Sequence, residues 1–162
     1  MNLPLDKASF RQAMGHFASG VTIMTTTAAG RMHGMTVSAF SSQSLDPLLI
    51  LVSVERSTVM HRLLTQSRAF AINILDERGE GTARFFADNA RLNGPEFRED
   101  AYQLGATGAP ILKEATGYLE ATVHSTLDAG DHTVIVGQVV AMAIGSEAPP
   151  LVYYRSGYRG LA

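Results

Sequence analysis

The chain of 162 residues has the length of one domain, and its 13 Lys plus Arg against 15 Asp plus Glu leave a net charge of −2. That balance lacks the basic excess that marks nucleic-acid-binding domains. Cysteine is absent, which excludes disulfides, iron–sulfur ligation and a thiol nucleophile, so any redox chemistry has to be carried by a bound group.

Charged residues make up 17% of the chain where about 25% is ordinary, while hydrophobic residues reach 46% before 15 Gly are added. This apolar excess points to a subunit interface or a cofactor groove in addition to a core. The N-terminal segment lacks a charged lead followed by an apolar stretch, and no apolar run is long enough to span a bilayer, so the sequence predicts a soluble, cytoplasmic protein.

From the N-terminus, Asp6 is a candidate N-cap, and Phe10, Met14 and Phe17 recur at i, i+4 and i+7. The spacing predicts an amphipathic helix that ends near Gly20 and lays this stripe on a core. GVTIMTTT and MHGMTVSAFSS flank Ala28-Ala29-Gly30-Arg31 and read as a hairpin. Leu45-Asp46-Pro47 turns the chain, LLILVSV at 48–54 is the next strand, and Ser57 or Thr58 opens a short helix through Met60, Leu63 and Leu64.

AFAINIL at 69–75 is a further strand, and ERGEGTARFFADNA is a short helix or loop running into the turn Asn93-Gly94-Pro95. Residues 94–110 show little periodicity. The stretches 116–128 and 132–144 alternate as two long strands joined at Asp128-Ala129-Gly130-Asp131, and LVYY at 151–154 follows Pro149-Pro150. Six or seven strands in hairpin succession with helices at the margins predict a mainly β, predominantly antiparallel closed sheet, formed as a single domain over 1–162.

Motifs for the Rossmann fingerprint, the P-loop, zinc proteases and the hydrolase elbow are missing. His16, His33, His61, His124 and His132 contain no pair at metal-ligand spacing, and no metal site is expected. The positive signals are four. Hydroxyls crowd residues 36–44, where they suit either a phosphate or heterocycle contact or a solvated edge strand. Ser53-Val54-Glu55-Arg56-Ser57-Thr58 combines a strand end, a cation and a helix start, which makes either an anion cradle or a plain N-cap beside a solvated Arg. Gly130-Asp131-His132 sits in a turn that admits a planar ligand or simply faces solvent. The tail Tyr153-Tyr154-Arg155-Ser156-Gly157-Tyr158-Arg159 suits stacking over a ring, or pinning of the chain end.

Taken in order, GVTIMTTTAAGRMHGMTVSAFSSQSLDP, LLILVSVERSTVMHRLL, AGDHTVIVGQV and LVYYRSGYRGL resemble the short-chain flavin reductase family. That resemblance implies the FMN-binding, Greek-key-like split β-barrel and a homodimer with flavin near the subunit interface. It implies reduction of FMN, with FAD as a further acceptor, by NADH or NADPH, in many members to supply a partner monooxygenase.

Carried over by position, Thr36, Val37, Ser38 and Ala39 would border the isoalloxazine, with Ser41 and Ser42 on the ribityl or phosphate side. Ser53, Val54 and Glu55 would line the other side of the flavin, Arg56, Ser57 and Thr58 the phosphate end, and Arg84, Phe85 and Phe86 would add a cation and rings. Gly130, Asp131 and His132, with Tyr158, are matched to the nicotinamide. Met60, Leu48 and Gln43 stand where relatives commonly have Thr, Pro and Val. No obligatory acid or base is implied, since hydride transfer belongs to the two cofactors. An FMN-holding electron carrier without a nicotinamide site, or a dimerisation module with an empty groove, are the rival readings.

Overall fold

The structure is a computed structural model that describes residues 2–161. Asp6 caps the first helix, α1 (Lys7–Met14), by accepting a hydrogen bond from the Ser9 N–H at 2.8 Å. The helix stops at Gly15 rather than near Gly20. Phe10, Met14 and Phe17 are 67%, 50% and 72% exposed, so the apolar stripe expected to face a core points away from this chain's own interior.

After β1 (Ser19–Gly20), β2 (Thr22–Ala28) and β3 (Arg31–Val37) form the expected hairpin. Its two-residue loop puts Ala29 at φ 49° and Gly30 at φ 76°, the left-handed pair that matches the twist of antiparallel strands. The strand expected to run on through SAFSS breaks at Ser38-Ala39. Beyond the break, β4 (Phe40–Leu45) turns at Asp46-Pro47 into β5 (Leu48–Glu55). Thr58 caps α2 (Val59–Ser67), β6 (Ala69–Ile74) follows, and α3 (Glu80–Ala87) lies between two short 3-10 turns. A small β7 (Tyr102–Leu104) and β8 (Pro110–Leu112) pair occupies the stretch without periodicity. The long hairpin is β9 (Gly117–Ala129) and β10 (His132–Ile144), and β11 (Val152–Tyr154) and β12 (Gly157–Arg159) close the chain against β1.

Seven strands make the main antiparallel sheet in the order β3-β2-β6-β9-β10-β5-β4. Its two edge strands, β3 and β4, are joined by Ser38 and Ala39 alone. Seven strands laid flat would separate the edges by about 29 Å, while three Cα–Cα steps span at most about 11 Å. The sheet therefore rolls at this end until its edges meet. Inside the roll, Met24, Val37, Val52, Phe70 and Ile135 pack together, with Met60 and Leu64 of α2 closing the space. Across β2 from Met24, Ile23 joins a second core with Val21, Leu75, Phe86 and Leu151.

Among the described residues, Arg91 Nε is the buried side-chain polar atom left without a hydrogen bond, and three buried polar clusters are paired. Asn73 of β6 is fully buried; its Nδ2 donates to the Ile23 carbonyl at 3.1 Å and its Oδ1 accepts from the Leu112 N–H at 2.8 Å, fastening β8 onto the sheet. Glu120 of β9 accepts from the N–H groups of Ala106 and Thr107 at 3.0 and 2.8 Å. A third cluster ties residues 88–97 to β3: Glu96 meets His33 Nδ1 at 2.9 Å and Arg91 Nε at 3.3 Å, and Arg91 Nη2 donates to the Gly34 carbonyl at 2.8 Å. Burial pushes the Glu96 carboxyl up, yet the His33 hydrogen bond and charge, the Gly34 N–H and the Arg91 guanidinium outweigh it and hold it below the ordinary carboxylate value.

Two outcomes follow from this packing. Asn73→Ala leaves the buried Leu112 N–H without its acceptor and costs about 1–3 kcal/mol, measurable as a lowered midpoint in urea. A depressed native pKa makes the ionised Glu96 favour the fold at neutral pH, and that preference is lost as pH falls through the native value. Stability of the wild type should drop on acidification, and Glu96→Gln should lower stability at pH 7 while flattening the acid limb of the profile.

Candidate functional site

The Ser38-Ala39 connection is the centre of the site. Both residues are exposed, and the Ala39 carbonyl accepts from the Ser53 N–H of β5 at 3.0 Å. Among the described residues the N–H groups of Ser38 and Ala39 have no acceptor. Two main-chain donors thus stand free at the point where the rolled edges join. Next to them, Ser41 and Ser42 of β4 are exposed, paired in register with Leu51 and Ile50.

Strand β5 leads from Ser53 to Glu55 and Arg56 and into α2. Register places His132 opposite Glu55 and Val134 opposite Ser53, and the Arg56 N–H donates to the Asp131 carbonyl at 3.0 Å. The segments 38–42, 53–58 and 130–132, far apart in sequence, are therefore contiguous at one end of the sheet. The hydroxyls here are ordered: Ser57 Oγ donates to Glu55 Oε1 at 2.7 Å, and Thr58 Oγ1 donates to the Glu55 carbonyl while accepting from the His61 N–H. Capping by Thr58 leaves the Val59 and Met60 N–H groups at the α2 N-terminus without acceptors among the described residues. The Arg56 guanidinium is half exposed, 3.8 Å from Asp128. Such a corner suits an anionic group.

Behind it, His61 Nε2 and Thr133 Oγ1 lie 2.9 Å apart, and Thr133 donates to Asp128 at 3.0 Å. Gly130 takes φ 65° in the β9–β10 turn. His132 Nδ1 lies 2.7 Å from Asp131 Oδ1. The His132 hydrogen bond and charge lower the Asp131 carboxyl below its ordinary value.

Several anticipated side chains point elsewhere. Thr36 Oγ1 donates to the Ala83 carbonyl at 2.7 Å, fixing α3 to β3. Val37 and Val54 are core residues, so any contact they make with a ligand is through their main chain. Phe86 is buried against Phe97, and Phe85 borders a separate groove with Phe97 and Leu112. Arg84 pairs with Glu80 and lies 5.1 Å from the Tyr158 ring centre. Tyr158 also packs on Tyr153, with ring centres 5.4 Å apart. The structure thus gathers Arg84 and Tyr158 with β11 rather than with Gly130, Asp131 and His132.

The aromatic tail is a hairpin, and it forms a cleft with α1 that the sequence reading missed. Phe10, Met14 and Phe17 face Tyr153 across it, and Ser38 and Ala39 lie in its wall, enclosing about 400 Å³. Its only signals in sequence are the Phe10-Met14-Phe17 stripe and the Tyr153–Arg159 run, and neither reveals that they face each other.

A rolled antiparallel sheet with free main-chain donors and an anion corner at one end defines a small-ligand-binding β domain. The family profile described as "Flavin reductase like domain" matches residues 14–162, and this chain belongs to that family. It is 36% identical over 159 residues to the NADH-dependent flavin reductase of Pseudomonas fluorescens, covering 96% of this chain and 91% of that one. To the reductase component of the 4-hydroxyphenylacetate 3-monooxygenase of Thermus thermophilus it is 33% identical over 155 residues, covering 96% and 97% of the two chains. Among solved structures it is similar to the Streptomyces globisporus NADH:FAD oxidoreductase in complex with NAD and FAD fragments, with a TM-score of 0.91, 31% identity and coverage of 100% and 96%.

If the corner at Arg56 takes a phosphate, Arg56→Ala should weaken FMN about tenfold and leave riboflavin, which has no phosphate, nearly unaffected. Fluorescence quenching titrations with the two flavins measure the difference; equal losses would remove the phosphate from this corner.

Proposed function

We propose that this chain is an NADH-dependent flavin reductase that binds flavin along Ser38–Ser42 and Ser53–Thr58. The observation that carries the reading is the pair of free N–H donors at Ser38 and Ala39, hydrogen-bonded through Ala39 to Ser53 and continuous in register with the Arg56–Thr58 corner. The relatives described as NADH-dependent favour it over an electron carrier without a nicotinamide site. No helix is long and apolar enough to cross a membrane among the described residues.

When bound, flavin supplies the acceptor, N5, for a hydride from nicotinamide C4. The residues of this chain hold and orient. Ser38 and Ala39 N–H groups donate to the electronegative edge of the ring, where negative charge gathers on reduction, and being fixed by the sheet they need no reorganisation. Arg56 and the α2 N-terminus hold the phosphate. His132, tied to Asp131, orders the nicotinamide, and Tyr158 and Arg84 form an aromatic and cationic wall at the other flank. Nothing in this scheme requires a side chain to exchange a proton.

FMN satisfies the anion corner, and the FAD fragments bound by the Streptomyces relative support FAD as an alternative acceptor. NADH is the donor favoured by the relatives; NADPH is the alternative. The roll is read as the split β-barrel of a homodimer, supported by the exposed Phe10, Phe17, Leu127, Met142 and Ile144, an apolar area that a lone chain leaves in water. Reduced flavin would pass to a monooxygenase, as the description of the Thermus relative as a reductase component suggests.

Steady-state NADH oxidation with FMN, FAD and riboflavin tests the reading, and an inactive protein with all three would end it. His132→Ala should raise the KM for NADH about fivefold to tenfold, as expected from losing one ordering contact, with flavin Kd within about twofold. A matching loss of flavin affinity with an unmoved NADH KM would take the nicotinamide away from this turn.

A further inference from the structure

The cleft between α1 and the β11–β12 hairpin holds two guanidinium groups that the scheme above does not use. Arg11 lies in the last turn of α1 and Arg155 in the hairpin loop. The Arg155 N–H donates to the Gly15 carbonyl at 2.9 Å, which locks the loop to the helix end and sets both cations on the same space. That space consists of two adjoining hollows of about 400 and 430 Å³, both bordered by Arg11, Gly15, Arg155 and Ser156.

Its electrostatics are one-sided. Neither hollow is bordered by Asp or Glu, and His16 and Gln12 complete the second. Neither Arg11 nor Arg155 has a carboxylate within 4.0 Å among the described residues, whereas Arg56 and Arg84 are both paired. In a chain of net charge −2, an acid-free hollow bordered by two guanidinium groups without a carboxylate partner among the described residues, Arg155 lying 5.9 Å from the Tyr154 ring centre, is complementary to a multivalent anion, since each presents a planar fork of donors. Arg155 and Ser156 form the two-residue loop between β11 and β12, at φ 48° and 60°, the left-handed pair of a tight hairpin that fixes where Arg155 leaves the backbone.

The hollow reaches Ser38 and Ala39 but includes no residue of 53–58. On the reading above, flavin phosphate lies at Arg56–Thr58, so an anion held in this hollow falls to the pyridine dinucleotide. The hollow borders Ser38 and Ala39, Ala39 is hydrogen-bonded to Ser53, and Ser53 pairs with Val134, two residues along β10 from His132. A ligand lying across the Ser38-Ala39 link would have one end toward His132 and its phosphates toward the guanidinium pair.

We propose that Arg11 and Arg155 clamp the diphosphate of the pyridine dinucleotide, with Ser156 as an additional donor. The inference rests on the flavin reductase reading, and its test keeps the two apart. With riboflavin as acceptor, Arg11→Ala and Arg155→Ala should each raise the KM for NADH about tenfold. The preference for NADH over reduced nicotinamide riboside, which has no phosphate, should shrink by the same factor. Arg11→Lys should recover only part of the loss, because a point charge replaces a fork. Inorganic pyrophosphate should compete with NADH in the wild type and much less in Arg155→Ala.

Unchanged NADH KM in both variants would overturn the proposal. So would a rise in the KM for FAD, with reduced nicotinamide riboside as donor, in place of a rise for NADH; the diphosphate would then be the flavin's. A wild type that fails to oxidise NADH at all would instead sink the underlying reading. Melting temperatures of the variants near that of the wild type establish that the fold survives, as expected for exposed side chains.

Discussion

The distance between the edges of the main sheet is the constraint from which the site follows. A two-residue link cannot bridge seven flat strands, so Ser38-Ala39 commits the sheet to roll, and the roll leaves the link outside the ladder on β3 and β4. Main-chain N–H groups that would be spent in a continuous strand are released at the join. A strand break thereby becomes a pair of donors, held rigidly because β5 takes up the Ala39 carbonyl on one side and the Thr36–Ala83 bond fixes β3 on the other.

The same economy explains the long β9–β10 hairpin. Residues 117–122 of β9 pair with β6 and residues 132–138 of β10 pair with β5, while the far half of each strand has only its hairpin partner. Register shifts at Val136/Gly137 and Val139/Ala141 bend the ribbon where it leaves the sheet. Gly137 lies at one of these, and a Cβ there would come within 2.6 Å of the Phe70 ring, so the close approach of the strand to the core requires glycine. The far half of β10 carries Val140, Met142 and Ile144 into solvent, which accounts for much of the apolar excess in the composition.

Charge is distributed with the same division of labour. Buried carboxylates at Glu96 and Glu120 are saturated by local donors and serve the fold. The candidate site combines hydroxyls, main-chain amides and Arg56 with the exposed carboxylates Glu55, Asp128 and Asp131, each held by a neighbour. A reaction that moves a hydride between two bound rings asks the protein for position and for a complementary field more than for an acid or base, and the groups proposed for the site are of the kind that supply both.

The main strands and helices were legible in the sequence because hydrophobic period and turn chemistry are local: the Asp6 cap, a hydroxyl cap at Ser57 or Thr58, the hairpin at 28–31 and the two long alternating strands needed only neighbours, whereas β4 beyond the Ser38-Ala39 break and the small β7–β8 pair did not show. The hydroxyl run, the Arg56 segment and the Gly130-Asp131-His132 turn were also visible as separate chemical signals. Their adjacency was not, because it arises from pairing between residues about 80 apart in the chain. Nor could periodicity tell that the Phe10, Met14 and Phe17 stripe faces outward, since an amphipathic pattern shows that a face seeks cover without saying what covers it. Thr36, Val37 and Phe86 turn away from the site for a related reason: which side of a strand or helix is inside is settled only when the sheet rolls and α3 docks on it.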